Sequence, residues 1–175
     1  MNMQQYLIQS ERTAAGTFHT DMVPDTDLIN ALIIAINALK DLDRIKKALF
    51  YRKPLPLDFY MENVLGTVDD GEPLRQQDMF IIHSILGIMT EAGELGEHLV
   101  NYIMSEPEDL EGYKPNLVDE TGDVLWYQAM LLRLLGTDFE TTAGKNLAKL
   151  KARFPDKFEE RLAIHRDEAA EQSVF

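Results

Sequence analysis

Cysteine is absent from this chain of 175 residues, so neither a disulfide framework nor a thiolate zinc site can form. Long apolar runs are absent as well. The longest, 31–39, is interrupted by Asn37 and is far too short to span a bilayer. Residues 1–10 lack the basic start and apolar stretch of a secretory signal. These absences predict a cytoplasmic protein without a membrane partner.

Two motifs of other protein classes are also missing. The chain has no glycine-rich phosphate-binding loop. It has no Glu-x-x-His pair either, which argues against a ferritin-like di-iron bundle. Basic residues are few, with 17 Lys and Arg against 30 Asp and Glu and a formal charge of −13. Such an acidic chain is not expected to bind nucleic acid through a broad basic face.

The charges are unevenly distributed along the chain. Residues 91–123 contain ten acidic residues and one basic residue, whereas residues 141–166 contain seven basic and three acidic residues. The first segment can hold a cation and the second can hold phosphate. Alternatively, both are solvated faces of helices.

Apolar residues recur at three- and four-residue intervals, which predicts an all-α fold, a helical bundle with an additional N-terminal helix. Residues 1–75 are expected to form an N-terminal leader, helix and loop packed on a core of residues 76–175, with one compact domain overall. The leader, 1–24, and the stretch 58–73 are predicted to be largely irregular. Helices are predicted from Asp25 or Thr26 to Tyr51, over 74–104, over 117–135 after an Asn116 cap, from the Asp138 cap to just before Pro155, and over 157–172.

Two acidic motifs, Glu91-x-x-Glu94 and Glu120-x-x-Asp123, lie on the second and third of these helices. Residues three apart share a helix face, so packing the two faces together would gather four carboxylates. Like charges in a partly dry site need protons or a cation, and hard divalent ions prefer oxygen ligands. The motifs therefore predict a magnesium site, although an exposed acidic stripe is the simpler alternative. Gly122, beside Asp123, is expected to mark close helix packing.

The fourth predicted helix carries Lys145, Lys149 and Arg153 at intervals of four residues, on one face. This face can bind the phosphates of a substrate, or it can be a solvated basic stripe. Trp126 or Tyr127 can stack on a base, but both can equally be core aromatic residues. His83 is either a partner of the acidic site or a core histidine, and His98 has no ligand-like spacing.

Three segments of the sequence resemble the MazG-like all-α nucleoside triphosphate pyrophosphohydrolases. The first is 86–95, LGIMTEAGEL; the second is 116–127, NLVDETGDVLWY; the third, 146–155, NLAKLKARFP, resembles the basic motif that follows. Residues 158–171 resemble the tail of many phage and bacterial members. The resemblance spans roughly Met79 to Glu171.

The resemblance implies Mg²⁺, with Mn²⁺ as a possible substitute, bound by Glu91, Glu94, Glu120 and Asp123. It implies hydrolysis of nucleoside triphosphates, deoxynucleotides included, to a monophosphate and pyrophosphate. Glu91 or Glu94 is expected to be the general base. The residues expected to bind the nucleotide are Lys145, Asn146, Lys149, Arg153 and Trp126.

The resemblance further implies a homo-oligomer, a dimer or tetramer, in the cytoplasm (of the host, if the protein is phage-encoded). Two alternatives stay open. The same scaffold can act on another pyrophosphate compound, such as an alarmone or a nucleotide sugar, or it can be a non-catalytic helical interaction protein.

Overall fold

The computed structural model describes residues 2–16, 19, 21–55, 75–105 and 110–173. Every regular element in these ranges is helical, which confirms the all-α prediction. None of the described helices has both the length and the apolar character needed to cross a membrane. The loop predicted at 58–73 lies outside the described residues. The helices are α1 (Met3–Glu11), α2 (Asp25–Tyr51), α3 (Met79–Met104), α4 (Leu110–Leu134), α5 (Phe139–Arg153), α6 (Glu160–Ile164) and α7 (Glu168–Gln172).

The helices belong to two compact units. The first unit comprises Met1–Val23 and Leu135–Phe175, and therefore contains α1 and α5–α7. The second, Pro24–Leu134, contains α2, α3 and α4. The two units are not divided at residue 75, where the sequence analysis placed the boundary between the N-terminal part and the core. That boundary stays a prediction.

In the second unit, α3 packs against both α2 and α4, and glycines bring the helices close together. A Cβ at Gly87 would overlap the ring of Tyr127 on α4, and one at Gly93 would lie 2.9 Å from Cβ of Leu39 on α2. Gly122 does not follow this pattern, since a Cβ there would meet no described atom within 4 Å. The expectation of close packing at Gly122 is therefore wrong within the described chain.

Helix α2 has the predicted bounds and ends where Arg52 adopts a left-handed conformation, φ 55°. Helix α4 starts seven residues earlier than predicted, so that Pro115 and the proposed cap Asn116 lie inside it. Pro115 lies beyond the first turn, where proline removes one intrahelical hydrogen bond and crowds the preceding turn at a cost of about 3 kcal/mol. The ring of Tyr113 in this extension packs edge-on against Tyr102 of α3, with 5.9 Å between centroids. This tertiary contact favours the longer helix.

In the first unit, the predicted irregular leader contains α1, so that prediction is wrong for residues 3–11. Asn2 and Gln5 form a capping box that satisfies the free N–H groups at the start of α1. Farther along, Tyr6 donates a hydrogen bond to Asn146 on α5 at 3.0 Å, and Arg12 donates one to the carbonyl of Phe154 at 2.9 Å. Local capping and these contacts together hold the segment.

The helix expected over 157–172 is interrupted, which corrects that prediction. Two short helices, α6 and α7, are separated by residues 165–167, and Asp167 caps α7 by accepting a hydrogen bond from the Ala170 N–H at 3.0 Å. An aspartate favours a cap over a helix interior, because its side chain competes for backbone N–H groups. The Asp138 cap and the end of α5 at Arg153 agree with prediction.

Candidate metal centre

The two acidic motifs meet where α3 packs on α4. Glu91 from α3 and Glu120 and Asp123 from α4 each offer a ligand atom, and these atoms all lie within 4.8 Å of one another. Glu91 is buried, Glu120 half-buried and Asp123 exposed. The cluster therefore opens toward solvent on the side of Asp123, as access for an ion and a substrate requires.

The donor set fits a hard divalent cation. All three ligands are carboxylates, and ions bound at about 2.0–2.6 Å hold their oxygens within about 4–5 Å of one another. Burial raises the pKa of Glu120, and the Glu91 charge raises it further; the nearby His98 opposes this. His98 Nε2 lies 3.7 Å from Glu120 Oε1, a partnership that the sequence spacing did not reveal. A cation would relieve the repulsion that raises this pKa.

Glu94 lies beside the cluster but is not among the three groups within 4.8 Å of one another. The pKa of Glu94 is raised mainly by burial and further by the negative charges of Glu91 and Glu120. Glu94 lines a cavity of about 250 Å³ between α2 and α3, which it shares with Asp43, Lys40 and Glu97. The structure thus brings together three of the four expected metal ligands and leaves Glu94 as an adjoining carboxylate.

A buried cation, Lys46 of α2, adjoins the acidic cluster and was missed by sequence reasoning. Its side chain is 3% exposed, and Nζ donates to Glu91 Oε1 at 2.8 Å and to Thr90 Oγ1 at 2.6 Å. Asp43 Oδ1 lies 3.2 Å from Nζ and forms an ion pair with it, but the two atoms do not meet the geometry of a hydrogen bond. Burial lowers the pKa of Lys46, but the contacts with Glu91 and Asp43 outweigh this and leave the pKa raised.

The sequence did contain a signal for Lys46. Asp43 and Lys46 lie on the same helical stripe as Ile36 and Leu39, which face α3. A charged pair within the apolar stripe of a helix is costly to bury without partners. Such a pair predicts an ionic contact on the neighbouring helix.

An aromatic residue, Tyr127 of α4, lies next to Lys46 and has aromatic partners of its own. Tyr127 is buried, its ring centroid lies 5.1 Å from Lys46 Nζ, and burial followed by the Tyr51 hydrogen bond raises its pKa to about 12. The Tyr51 hydroxyl lies 3.2 Å from both the Tyr127 hydroxyl and His83 Nε2. Burial and the Lys46 charge lower the pKa of His83. Tyr127 is thus a core aromatic residue, whereas Trp126 is 52% exposed.

The basic residues of α5 belong to the other compact unit. Asn146 accepts the hydrogen bond from Tyr6 described above, and Arg153 forms a two-pronged ion pair with the buried Glu171, at 2.8 and 2.5 Å. Arg166 also binds Glu171. Lys149 lines an open cavity together with Arg166 and Glu171, and Lys145 is exposed. Asn146 and Arg153, both expected to contact the nucleotide, therefore have partners within their own unit.

A helical unit that gathers three carboxylates defines an all-α protein with a candidate hard-cation site. Residues 83–158 match the family model of the MazG nucleotide pyrophosphohydrolase domain, which confirms the predicted resemblance for this segment of the chain. The match indicates nucleotide pyrophosphohydrolase activity. It includes all three clustered carboxylates and α5, and leaves α2 with Lys46 outside. Comparison with curated proteins and with solved structures gave no significant match.

Proposed function

We propose that the protein hydrolyses nucleoside triphosphates, deoxynucleoside triphosphates among them, to a nucleoside monophosphate and pyrophosphate in a Mg²⁺-dependent reaction. The observation that carries this proposal is the convergence of Glu91, Glu120 and Asp123 inside the segment that matches the MazG domain. Three carboxylates from two separate helices are costly to hold together without a cation.

Glu91, Glu120 and Asp123 would hold the ion, with Glu94 as a further ligand or as the base. Bound Mg²⁺ neutralises charge on the phosphates and lowers the pKa of a coordinated water. We assign the general base to Glu94 rather than Glu91, because Glu91 Oε1 already accepts a hydrogen bond from Lys46. The raised pKa of Glu94 suits a group that takes up the proton of the attacking water.

Nucleotide binding is proposed for the basic face of α5 and for Trp126. Lys149 is the best-supported residue of this face, since it lines an open cavity. Lys145 is exposed and stays a candidate for phosphate binding. Asn146 and Arg153 stay candidates as well, and binding a nucleotide would require them to leave Tyr6 and Glu171. The exposure of Trp126 is compatible with stacking on a base.

The reaction is tested by incubating the pure protein with ribo- and deoxynucleoside triphosphates, with and without Mg²⁺, and measuring pyrophosphate and orthophosphate separately. We expect metal-dependent pyrophosphate release. Orthophosphate as the sole product would contradict cleavage at the α-phosphate. Inactivity on all nucleotides would favour the alternatives, another pyrophosphate compound such as an alarmone or nucleotide sugar, or a non-catalytic interaction protein.

The metal centre is tested by Asp123→Asn, with Asp119→Asn as the matched control on the same helix. Loss of an indirect metal contact typically costs about 10- to 100-fold, so removing a ligand should lower kcat/KM by more than about 100-fold. Asp119 is exposed and lies outside the cluster, and its variant should retain turnover. Equal activity in the two variants would remove Asp123 from the site.

We also propose that the protein is a homo-oligomer. Along α3, Ile81, Ile85 and Met89 lie four residues apart, and Leu99 and Ile103 repeat this spacing farther along the helix; each of the five is 39–43% exposed. Their side chains form one apolar stripe on the outer side of α3. Exposed apolar residues on one helix face are typical of a protein interface, and a second copy of the chain is the partner we propose.

A further inference from the structure

Lys46 has contacts that a simple stabilising ion pair would not need. Its ammonium group touches the metal-ligand candidate Glu91, the hydroxyl of the preceding residue Thr90 and the carboxylate of Asp43. The side chain is almost completely buried, which rules out direct contact with a nucleotide in this arrangement. Lys46 therefore acts on the site through Glu91.

We propose that Lys46 is the positioning residue of the metal centre: it fixes the Glu91 carboxylate in the orientation that meets Glu120 and Asp123. This inference rests on the proposed metal-dependent function. It adds a contribution from α2, which lies outside the segment matched by the MazG domain.

The ammonium group is itself held from three sides. Thr90 accepts a hydrogen bond from Nζ while donating one to the carbonyl of Gly87 at 3.1 Å. The Tyr127 ring of α4 lies beside Nζ, with 5.1 Å to the ring centroid. Asp43 approaches along α2 itself. Each of the three helices therefore contributes a contact that fixes the position of Lys46. The position of Lys46 in turn fixes that of the Glu91 carboxylate.

The fixed positive charge of Lys46 also has an effect on metal affinity that opposes the effect of positioning. At short range it repels a divalent cation, so its removal alone would tighten metal binding. Loss of positioning would instead weaken metal binding, because Glu91 would lose the hydrogen bond that restrains its rotamer. The direction of the change in metal affinity thus separates the two roles.

The experiment is a Mn²⁺ titration followed by electron paramagnetic resonance, without nucleotide, on wild type and Lys46→Met. We expect the variant to bind Mn²⁺ about 10- to 100-fold more weakly, the range typical for partners of metal ligands. Lys40→Met is the matched control, because Lys40 also pairs with a glutamate across the α2–α3 interface, Glu97, but is exposed. Its Mn²⁺ affinity should stay at the wild-type value.

Unchanged or tighter Mn²⁺ binding by Lys46→Met would overturn the positioning role and leave the proposed function standing. Absence of Mn²⁺ binding by the wild type would overturn the metal centre and this inference with it. Thr90→Val serves if Lys46→Met does not fold. Thr90→Val removes only the hydroxyl that accepts a hydrogen bond from the ammonium group, and it should weaken Mn²⁺ binding by a smaller factor. If this variant bound Mn²⁺ with wild-type affinity, that result would also contradict the positioning role.

Discussion

The carboxyl group of Glu120 shows how a single residue can serve the site at the expense of the fold. Burial and the neighbouring Glu91 charge raise its pKa above 4.5, the ordinary value. A group whose pKa is raised in the folded state stabilises the fold below its unfolded pKa and loses that contribution as pH rises through the folded pKa. At neutral pH without metal, ionised Glu120 is therefore a net cost to the folded state.

Glu120→Gln should consequently raise the Tm of the metal-free protein at neutral pH by a few degrees. The gain should shrink as pH falls toward 4.5, where the wild-type carboxyl also takes up a proton. Added Mg²⁺ should raise the Tm of wild type and not of the variant, since ligand binding stabilises only a protein that binds it. Thermal melts at several pH values, with EDTA or Mg²⁺, check all three expectations. A lower Tm for the variant in EDTA at neutral pH would contradict the electrostatic interpretation.

At the scale of helices, close approach depends on glycine at some positions and not at others. Gly87→Ala should lower the free energy of unfolding by about 1–3 kcal/mol, because the added methyl group overlaps the Tyr127 ring. Gly122→Ala is the matched substitution on α4, at a position where the described chain leaves open space. It should be neutral or stabilise the protein by up to about 1 kcal/mol through helix propensity.

Denaturant unfolding of both glycine variants distinguishes these expectations. Equal stability of Gly87→Ala and wild type would mean that α3 and α4 can move apart without cost. Destabilisation by Gly122→Ala would instead indicate that another molecule, such as a second copy of the chain, packs against Gly122.

A buried carboxylate on the short helix α7, that of Glu171, forms an ion pair with Arg153 of α5. Hydrogen bonds from Arg153 and Arg166 lower the pKa of Glu171 to about 2. The resulting stabilisation is present above the unfolded pKa of 4.5 and is lost as pH falls from there toward 2. Glu171→Gln should therefore lower Tm at neutral pH, and the difference from wild type should narrow in acid.

Glu168→Gln provides the control for this prediction, because Glu168 lies on the same helix but is exposed. It should leave Tm close to the wild-type value. A pH-independent difference between wild type and Glu171→Gln would show that lost packing, rather than the ion pairs, causes the destabilisation.

At the scale of the whole molecule, buried hydrophobic residues are few in the described chain: Ile36, Val100, Tyr127, Ala143 and Phe154. Much of the apolar side-chain surface of α3 faces outward instead. The hydrophobic effect favours covering such surface, which supports association with a second copy.

Ile85→Asp should therefore convert the oligomer to a chain of 20.0 kDa, since a charge in the apolar stripe cannot be buried without a partner. Sedimentation velocity measures the change. Ile164→Asp is the control, because Ile164 is 67% exposed and lies on α6, which belongs to the other compact unit. A monomeric wild type would contradict the proposed oligomer.

Much of this architecture could be predicted from local sequence pattern. The bounds of α2, the cap at Asp138 and the spacing of Glu120 and Asp123 are encoded by residues within a few positions of one another. Helix periodicity places such residues on a common face before any tertiary contact forms. The all-α class followed from these patterns, whereas the resemblance to the MazG-like family rested on the motif segments 86–95, 116–127 and 146–155.

Tertiary structure decided the rest, because it depends on residues far apart in the chain. Lys46 and Glu91 are 45 positions apart, and only the packing of α2 on α3 brings them together. Likewise, Arg153 pairs with Glu171, 18 positions away, and Tyr113 of α4 packs on Tyr102 of α3. Local periodicity determines which face of a helix is apolar or charged, whereas the packing of helices determines which partner that face meets.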